Sequence, residues 1–428
     1  MNGGLSMVEM KSGYKMTEVG VIPEDWEVCE LRNHLVLLTD YDANGSFADM
    51  ASNVVTTTGN GYAWYVRATD LEQQSSLSEV KYVDEKSYRF LRKSTLYGGE
   101  VLLAKRGEIG KVYYFQMKTK RATLAPNLYL LKLKDTINSY FLFSLFKSTF
   151  GQNLLKSINA STSLGAIYKD DVKGLNILIP PFEEQASIAT ALSDVDSLIS
   201  ALTKKIEKKK AIKQGLMQQL LTGKKRLPGF NDKWKSMLLG DIAEVKDGTH
   251  QTPQYVKSGG KPFYSVENVT ADDFKNVKHI SLEEHKALTS NYRIEKGDVL
   301  MTRIGSIGCC KYVDWDVDAS FYVSLALLKI NEKYDSKFIS YLSNIKSFKE
   351  EVMLNSLVFA IPQKINLGNI SLIKVYIPTS KAEQTAIANI LSDCDSEIAA
   401  LEEKRDKYKE IKQGMMQQLL TGKIRLIK

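Results

Sequence analysis

Two stretches of this 428-residue chain carry nearly the same text, K-Q-G-L-M-Q-Q-L-L-T-G-K at 213–224 and K-Q-G-M-M-Q-Q-L-L-T-G-K at 412–423, a shift of 199 residues. A repeat on that scale means one architecture used at two places rather than a single large domain. Pairing 183–227 with 382–426 gives 29 identities in 45 pairs, whereas the segments before them share only scattered positions at a shift of 198. Among those are Asp70 with Asn268, Gly99 with Gly297, Gly107 with Gly305, Gly110 with Gly308, Ile167 with Ile365 and Ile179 with Ile377. Pro23-Glu24-Asp25-Trp26 with Leu31 opens the first copy, and Phe230-Asn231-Asp232-Lys233-Trp234 with Leu239 opens the second. The order is therefore globule, helix, globule, helix, with boundaries at 17–180, 181–224, 229–378 and 379–423.

The constant segments are helical in pattern. Ile188, Leu192, Val195, Ile199, Leu202, Ile206, Ile212, Leu216 and Leu220 step by four and three, broken only at Lys209. Ile387, Leu391, Cys394, Ile398, Leu401, Ile411, Met415 and Leu419 repeat the seam, with Arg405 and Tyr408 as departures. Each helix follows a proline, Pro181 or Pro378, and stops before Gly223 or Gly422. About 40 residues make a rod of roughly 60 Å, and a rod with one apolar stripe needs a partner. The near-identical sister is the best one available, and antiparallel pairing about a pseudo-twofold axis gives both copies equivalent surroundings, with the globules at opposite ends. Gly215 and Gly414 interrupt the helices at about 1 kcal/mol each relative to Ala. Such twins suit close approach by another backbone, the sister helix or an outside protein, or simple fraying near the helix end.

The variable parts read as short strands with turns and one or two helices, an α+β class: strands at 101–104, 112–115, 128–133, 175–179, 299–302, 323–330 and 373–377, and helices at 140–147 and 338–346. One motif recurs, G-E-V-L-L-A-K-R-G-E-I-G-K at 99–111 and G-D-V-L-M-T-R-I-G-S-I-G-C at 297–309. A strand there runs into a basic residue, Lys105 or Arg303, ahead of two glycines three residues apart. Free N–H groups beside a cation can hold a phosphate, so Lys105, Arg106, Lys111, Arg303 and Ser306 are candidate phosphate-binding residues, although a plain hairpin turn explains the glycines as well. The polar loop K-D-G-T-H-Q-T-P-Q-Y at 246–255 adds Thr249, His250 and Gln251, able to reach base edges. T-T-T-G-N-G-Y at 56–62 holds the roughly corresponding place in the first copy, and different side chains there suggest different targets.

Composition and motifs exclude more than they assign. The net charge of +8 fits a polyanionic partner, and nine Lys/Arg against one acid between 203 and 226 concentrate it, though a solvated helix face reads the same way. Cys29, Cys309, Cys310 and Cys394 form no C-x-x-C, and His34, His250, His279 and His285 lack metal spacing, so no metal site is expected. There is no G-x-x-x-x-G-K-[ST], and Ile179-Pro180-Pro181-Phe182 lacks the Asp, Asn or Ser that an amino-methyltransferase motif places first. Neither an apolar leader at the first residues nor an 18-residue apolar run is present, which points to a cytoplasmic protein without a membrane partner.

Two variable globules alternating with two near-identical helices, V-I-P-E-D-W at 21–26, the junctions I-P-P-F-E-E-Q and I-P-T-S-K-A-E-Q, and the endings Q-G-x-M-Q-Q-L-L-T-G-K-x-R-L together resemble the specificity subunit of type I restriction-modification systems. The likeness runs from about Thr17 to Leu426. It implies two mixed α/β target recognition domains, each reading half of a bipartite asymmetric site in double-stranded DNA, separated by two long antiparallel coiled-coil helices that space the halves. It also implies a non-catalytic chain carrying no cofactor. Two methyltransferase subunits would bring S-adenosylmethionine and restriction/translocase subunits ATP and magnesium, the assembly being an adenine methyltransferase and ATP-dependent endonuclease. Identity off the helical seam marks the dock: Lys213, Gln214, Met217 and Gln218, with Lys412, Gln413, Met416 and Gln417. A partner that fuses methylation and cleavage, or an enzyme or scaffold of another class, are the alternatives.

Overall fold

The computed structural model describes residues 12–107, 109–159, 165–357 and 359–427. The chain packs as two compact units, one formed by 1–202 with 404–428 and the other by 203–403. The cut passes through both long helices, Phe182–Leu220 and Lys381–Leu419. Each unit therefore owns one globule, the start of one helix and the end of the other.

In the first unit an antiparallel sheet runs Val112–Tyr114, Val101–Ala104, Leu128–Leu133, Leu35–Asp40. The V-L-L-A strand is buried on both faces, which explains its unbroken apolar text. Val101 and Leu103 face a core shared with the helix Ser139–Lys147 and the long helices, while Leu102 and Ala104 face a second core around Trp64 and Phe115. That second core lies under a sheet ordered Thr56–Thr58, Lys81–Val83, Ala63–Val66, Ala122–Leu124, Thr95–Leu96.

The second unit repeats the plan. Its sheets run Ala243–Asp247, Leu325–Ile330, Val299–Thr302, Cys310–Tyr312 and Tyr255–Val256, Lys278–Ile280, Lys261–Tyr264, Ser320–Phe321. One parallel pairing occurs at the same place in each second sheet, Tyr65 with Thr123 and Phe263 with Ser320. The Asp70/Asn268 match has a local cause. Each accepts a backbone N–H three residues back, Arg67 N at 3.2 Å and Ser265 N at 2.9 Å, and so caps an equivalent short helix. The sheet orders correct one expected pairing: 56–62 corresponds to 255–261, not 246–255, and the loop after Asp247 corresponds to the segment after Asp40. The helix expected over 338–346 is two pieces, Ser336–Leu342 and Lys346–Leu354.

Within each unit the two helix segments run antiparallel, and the contacts repeat at the 199-residue shift. In the first unit Lys412 meets both Asp196 oxygens at 2.7 Å and Arg425 meets Glu184 at 2.8 Å. In the second Lys213 pairs with Asp395, and Arg226 reaches Glu383 at 2.7 and 2.8 Å. The tryptophans of the two opening motifs complete the clasps, Trp26 donating to Glu184 at 2.9 Å and Trp234 to Glu383 at 3.4 Å. The seam holds at Ile188, Leu192 and Leu419 in one unit and at Ile387, Leu391 and Leu220 in the other. It fails at Ile212 and Ile411, which are 44% and 41% exposed. The sister backbone does not approach the glycines: a Cβ at Gly215 or Gly414 would find nothing within 4 Å.

Candidate nucleic-acid interface

The two cations at the recurring strand ends are structural. Lys105 leaves its strand next to Asp40, the last residue of the neighbouring strand but one, and bonds it at 2.8 Å and Asp42 at 2.7 Å. Lys169 takes the other Asp40 oxygen at 2.8 Å, and the Tyr129 ring lies 5.4 Å from the Lys105 ammonium. Burial alone would raise the Asp40 carboxyl, but bonds from the two lysines outweigh it and hold it below the usual range. Arg303 repeats the device in the second unit. Its side chain is 4% exposed and meets Asp247 at 2.5 Å.

Buried Arg303 and half-buried Lys105 are both held against acids of their own unit, so neither stands as an unpaired charge for phosphate. That corrects the expectation made for them. The pairing acids stand 65 and 56 residues upstream, which a local motif cannot reveal.

The glycine turns are also spoken for. Gly107, Gly110, Gly305 and Gly308 have φ of +88°, +95°, +84° and +84°, which a Cβ would strain. However, Gly107 N–H donates to Gly165 O at 2.9 Å, Gly305 to Gln363 at 2.8 Å and Gly308 to Thr302 at 2.8 Å. Those three amides are not a phosphate cradle. The Gly107 and Gly305 amides tie a later segment to the strand end, and the Gly308 amide closes its own turn. Glu108, within the first turn, lies outside the described residues.

The remaining candidates divide. Lys111 is engaged by Glu72 at 3.0 Å. Thr249 is held by its backbone, N–H to Phe321 O at 3.1 Å, and its hydroxyl accepts from Gln251 N–H at 3.3 Å. His250 is exposed, with Nε2 2.8 Å from Asp247. Arg106, Gln251 and Ser306 are exposed and remain available. Sequence reading missed a basic and aromatic surface in the first unit, where the Arg121 guanidinium sits 4.3 Å over Tyr62 beside exposed Lys118 and Lys120. The alternation Q-M-K-T-K-R at 116–121 was its signal. The matching segment of the second unit carries exposed Asp314 and Asp316 instead, and among its cation–ring pairs are Lys278 5.0 Å over Tyr255 and Lys311 5.9 Å over Phe274. Equivalent frames thus carry unlike chemistry.

On the helices, Met217 is 3% exposed inside the second unit's core, and Met416 packs at the edge of the first. Lys213 and Lys412 are committed to Asp395 and Asp196, which also accept from Tyr341 at 2.7 Å and Tyr140 at 2.5 Å, Tyr140 sharing with Lys412 one of the two oxygens that the lysine meets. Packing within the chain accounts for the identity of buried Met217 and for the pairing of the two lysines, whereas Met416, with Lys412, Gln413 and Gln417, lines a surface groove. Gln214, Gln218, Gln413 and Gln417 are exposed. Among the described residues no group of three or more His, Cys, Asp or Glu could hold a metal, and no helix is long and apolar enough to cross a membrane.

This duplicated frame, with constant helix clasps and divergent surfaces, matches the type I restriction modification DNA specificity domain twice, over residues 23–214 and 231–413. The chain belongs to that family. It is 29% identical over 441 residues to a Methanocaldococcus jannaschii specificity subunit provisionally named for the type I restriction enzyme MjaX, covering 97% of each. It is 24% identical to the MjaVIII specificity subunit of the same organism, covering 95% of this chain and 94% of the relative. The crystal structure of a type I restriction-modification S subunit from M. genitalium superposes with a TM-score of 0.62 at 16% identity, over 92% of this chain and 96% of that one. Sequence-specific DNA recognition is the family's role, and its named members are specificity subunits rather than catalysts.

Proposed function

We propose that each unit reads one half of a bipartite, asymmetric site in double-stranded DNA, and that the helices dock two methyltransferase subunits and, through them, restriction subunits. The observation that carries this reading is the contrast within one duplicated frame. The Arg–Glu–Trp clasp and the Lys–Asp–Tyr contact between the helices repeat in both units, whereas the exposed surfaces of the globules do not. Identical helices suit identical partners and divergent globules suit unlike half-sites. S-adenosylmethionine, ATP and magnesium belong to those partners in this reading, and the flipped adenines would enter their pockets.

The dock itself follows from what the chain leaves uncovered. Lys208, Ile212, Gly215, Gln219 and Thr222 step by four and three on a helix face turned from the core, and Lys407, Ile411, Gly414, Gln418 and Thr421 match them at every position. Gly414 lines an apolar groove of about 320 Å³ with Ala191, Met415, Leu419 and Leu426. A glycine with open space above it lets another helix come close. The recognition half is tested by exchanging residues 27–175 for those of a relative and mapping the adenines methylated by the reconstituted complex. One half-site changes if the reading is right. Change in both halves, or in neither, overturns it.

A further inference from the structure

In the second unit the helix Lys346–Leu354 is followed by a short hairpin anchored on the strand-end turn. Leu357 N–H donates to Lys364 O at 2.8 Å, Ile365 N–H to Arg303 O at 3.0 Å, and Gly305 N–H to Gln363 O at 2.8 Å. Beyond this anchor stand Phe359, 96% exposed, and Ile361, fully exposed, and Leu354, the last residue of the preceding helix, is 77% exposed. Bulky apolar groups two residues apart at such exposure mark a contact surface. Lys364, at the base, has no ion pair among the described residues. The first unit anchors its counterpart in the same register, Gly107 N–H to Gly165 O at 2.9 Å and Ile167 N–H to Lys105 O at 3.1 Å. Its text there is hydroxylated, N-A-S-T-S-L-G at 159–165, of which 160–164 lie outside the described residues. At one anchored position the sequence thus reads Ser161-Thr162-Ser163 in one frame, whereas the other presents an apolar tip.

We propose that Phe359 and Ile361 form a wedge that enters the DNA half-site read by the second unit and partly unstacks one base step, with Lys364 beside the flanking phosphate. This rests on the recognition role argued above. The chemistry fits, because an apolar side chain inserted between bases gains burial on both faces, and the loss of stacking is least at flexible pyrimidine–purine steps. A wedge of this kind contributes to sequence choice without a base-edge hydrogen bond. Only the second half-site would have it.

The test uses the full chain reconstituted with its methyltransferase and a duplex bearing the sequence that complex methylates, with 2-aminopurine placed at successive steps of the second half-site. The parent should brighten the probe at one step. F359A/I361A should abolish that signal and weaken specific binding about ten- to hundredfold. The slope of log K against log salt should not move, since no phosphate contact is lost. Both side chains are exposed, so thermal melting should match the parent. Unchanged affinity with no 2-aminopurine response in either protein overturns the wedge, as does loss of methyltransferase binding or of self-association with DNA binding intact. Failure of the parent to bind the methylated sequence would instead sink the recognition reading itself.

Discussion

Replacing Arg425 by Met should unfasten the first unit. Arg425 is the third residue after Gly422 and reaches back to Glu184 with two hydrogen bonds of 2.8 Å and to Asp25 with one of 2.6 Å. Glu184 is only 1% exposed, and without the guanidinium it keeps two neutral donors, Trp26 Nε1 at 2.9 Å and Leu426 N at 3.2 Å. Removing one member of a buried pair costs about 3–5 kcal/mol because the other charge is stranded. The half-exposed Asp25 adds well under about 1 kcal/mol. Met preserves most of the stem packing, so the loss is electrostatic. Hydrogen exchange read by mass spectrometry should show faster exchange in peptides covering 20–35 and 184–195, with little change in peptides covering 231–245. R226M should give the mirror result through Glu383 and Trp234. Removing the stranded charge as well, in R425M/E184Q, should recover about 2 kcal/mol or more. An R425M protein within about 0.5 kcal/mol of the parent, or one whose protection drops equally in both peptide sets, would refute the idea that this clasp closes the first unit.

The remaining expectations are narrower. G215A/G414A should raise the melting free energy of the isolated chain by about 0.5–1 kcal/mol per site, since Ala is the better helix former and the space is open, yet weaken methyltransferase binding in pull-down titration; unimpaired binding would move the dock. Lys105→Met should destabilise the first unit without altering the salt slope of DNA binding, whereas Arg106→Ala should lower that slope by about one unit; a slope change from Lys105 would return it to the interface. The Asp40 cluster sets a pH window. Asp40 titrates below its ordinary 3.8 and Lys105 above its ordinary 10.5, the latter because bonds to Asp40 and Asp42 outweigh burial. Stability from Asp40 is present above pH 3.8 and lost as pH falls through the depressed value, while that from Lys105 is present below pH 10.5 and lost above the raised one. The difference in unfolding free energy between parent and D40N/K105M should therefore stay flat from pH 5 to 9; a change inside that range would refute the pairing.

The architecture was largely legible because repetition is a covalent fact. The 199-residue shift, the helical periods and the V-L-L-A and V-L-M-T strands determine two like frames and two long helices, and the match with the family bears out that reading. What sequence alone could not settle is which identities serve the chain and which serve a partner. Both are equally constant. Met217, Lys213 and Lys412 look like a docking face until the fold buries the first and pairs the other two, because partners such as Asp395 and Asp196 lie some 180 to 220 residues away. Lys105 and Arg303 look like phosphate ligands until Asp40 and Asp247 arrive from a strand two places along the sheet. Charge compensation in a low-dielectric interior is a tertiary property, set by which strands and helices come together, and a linear motif records only the half of each pair that it contains.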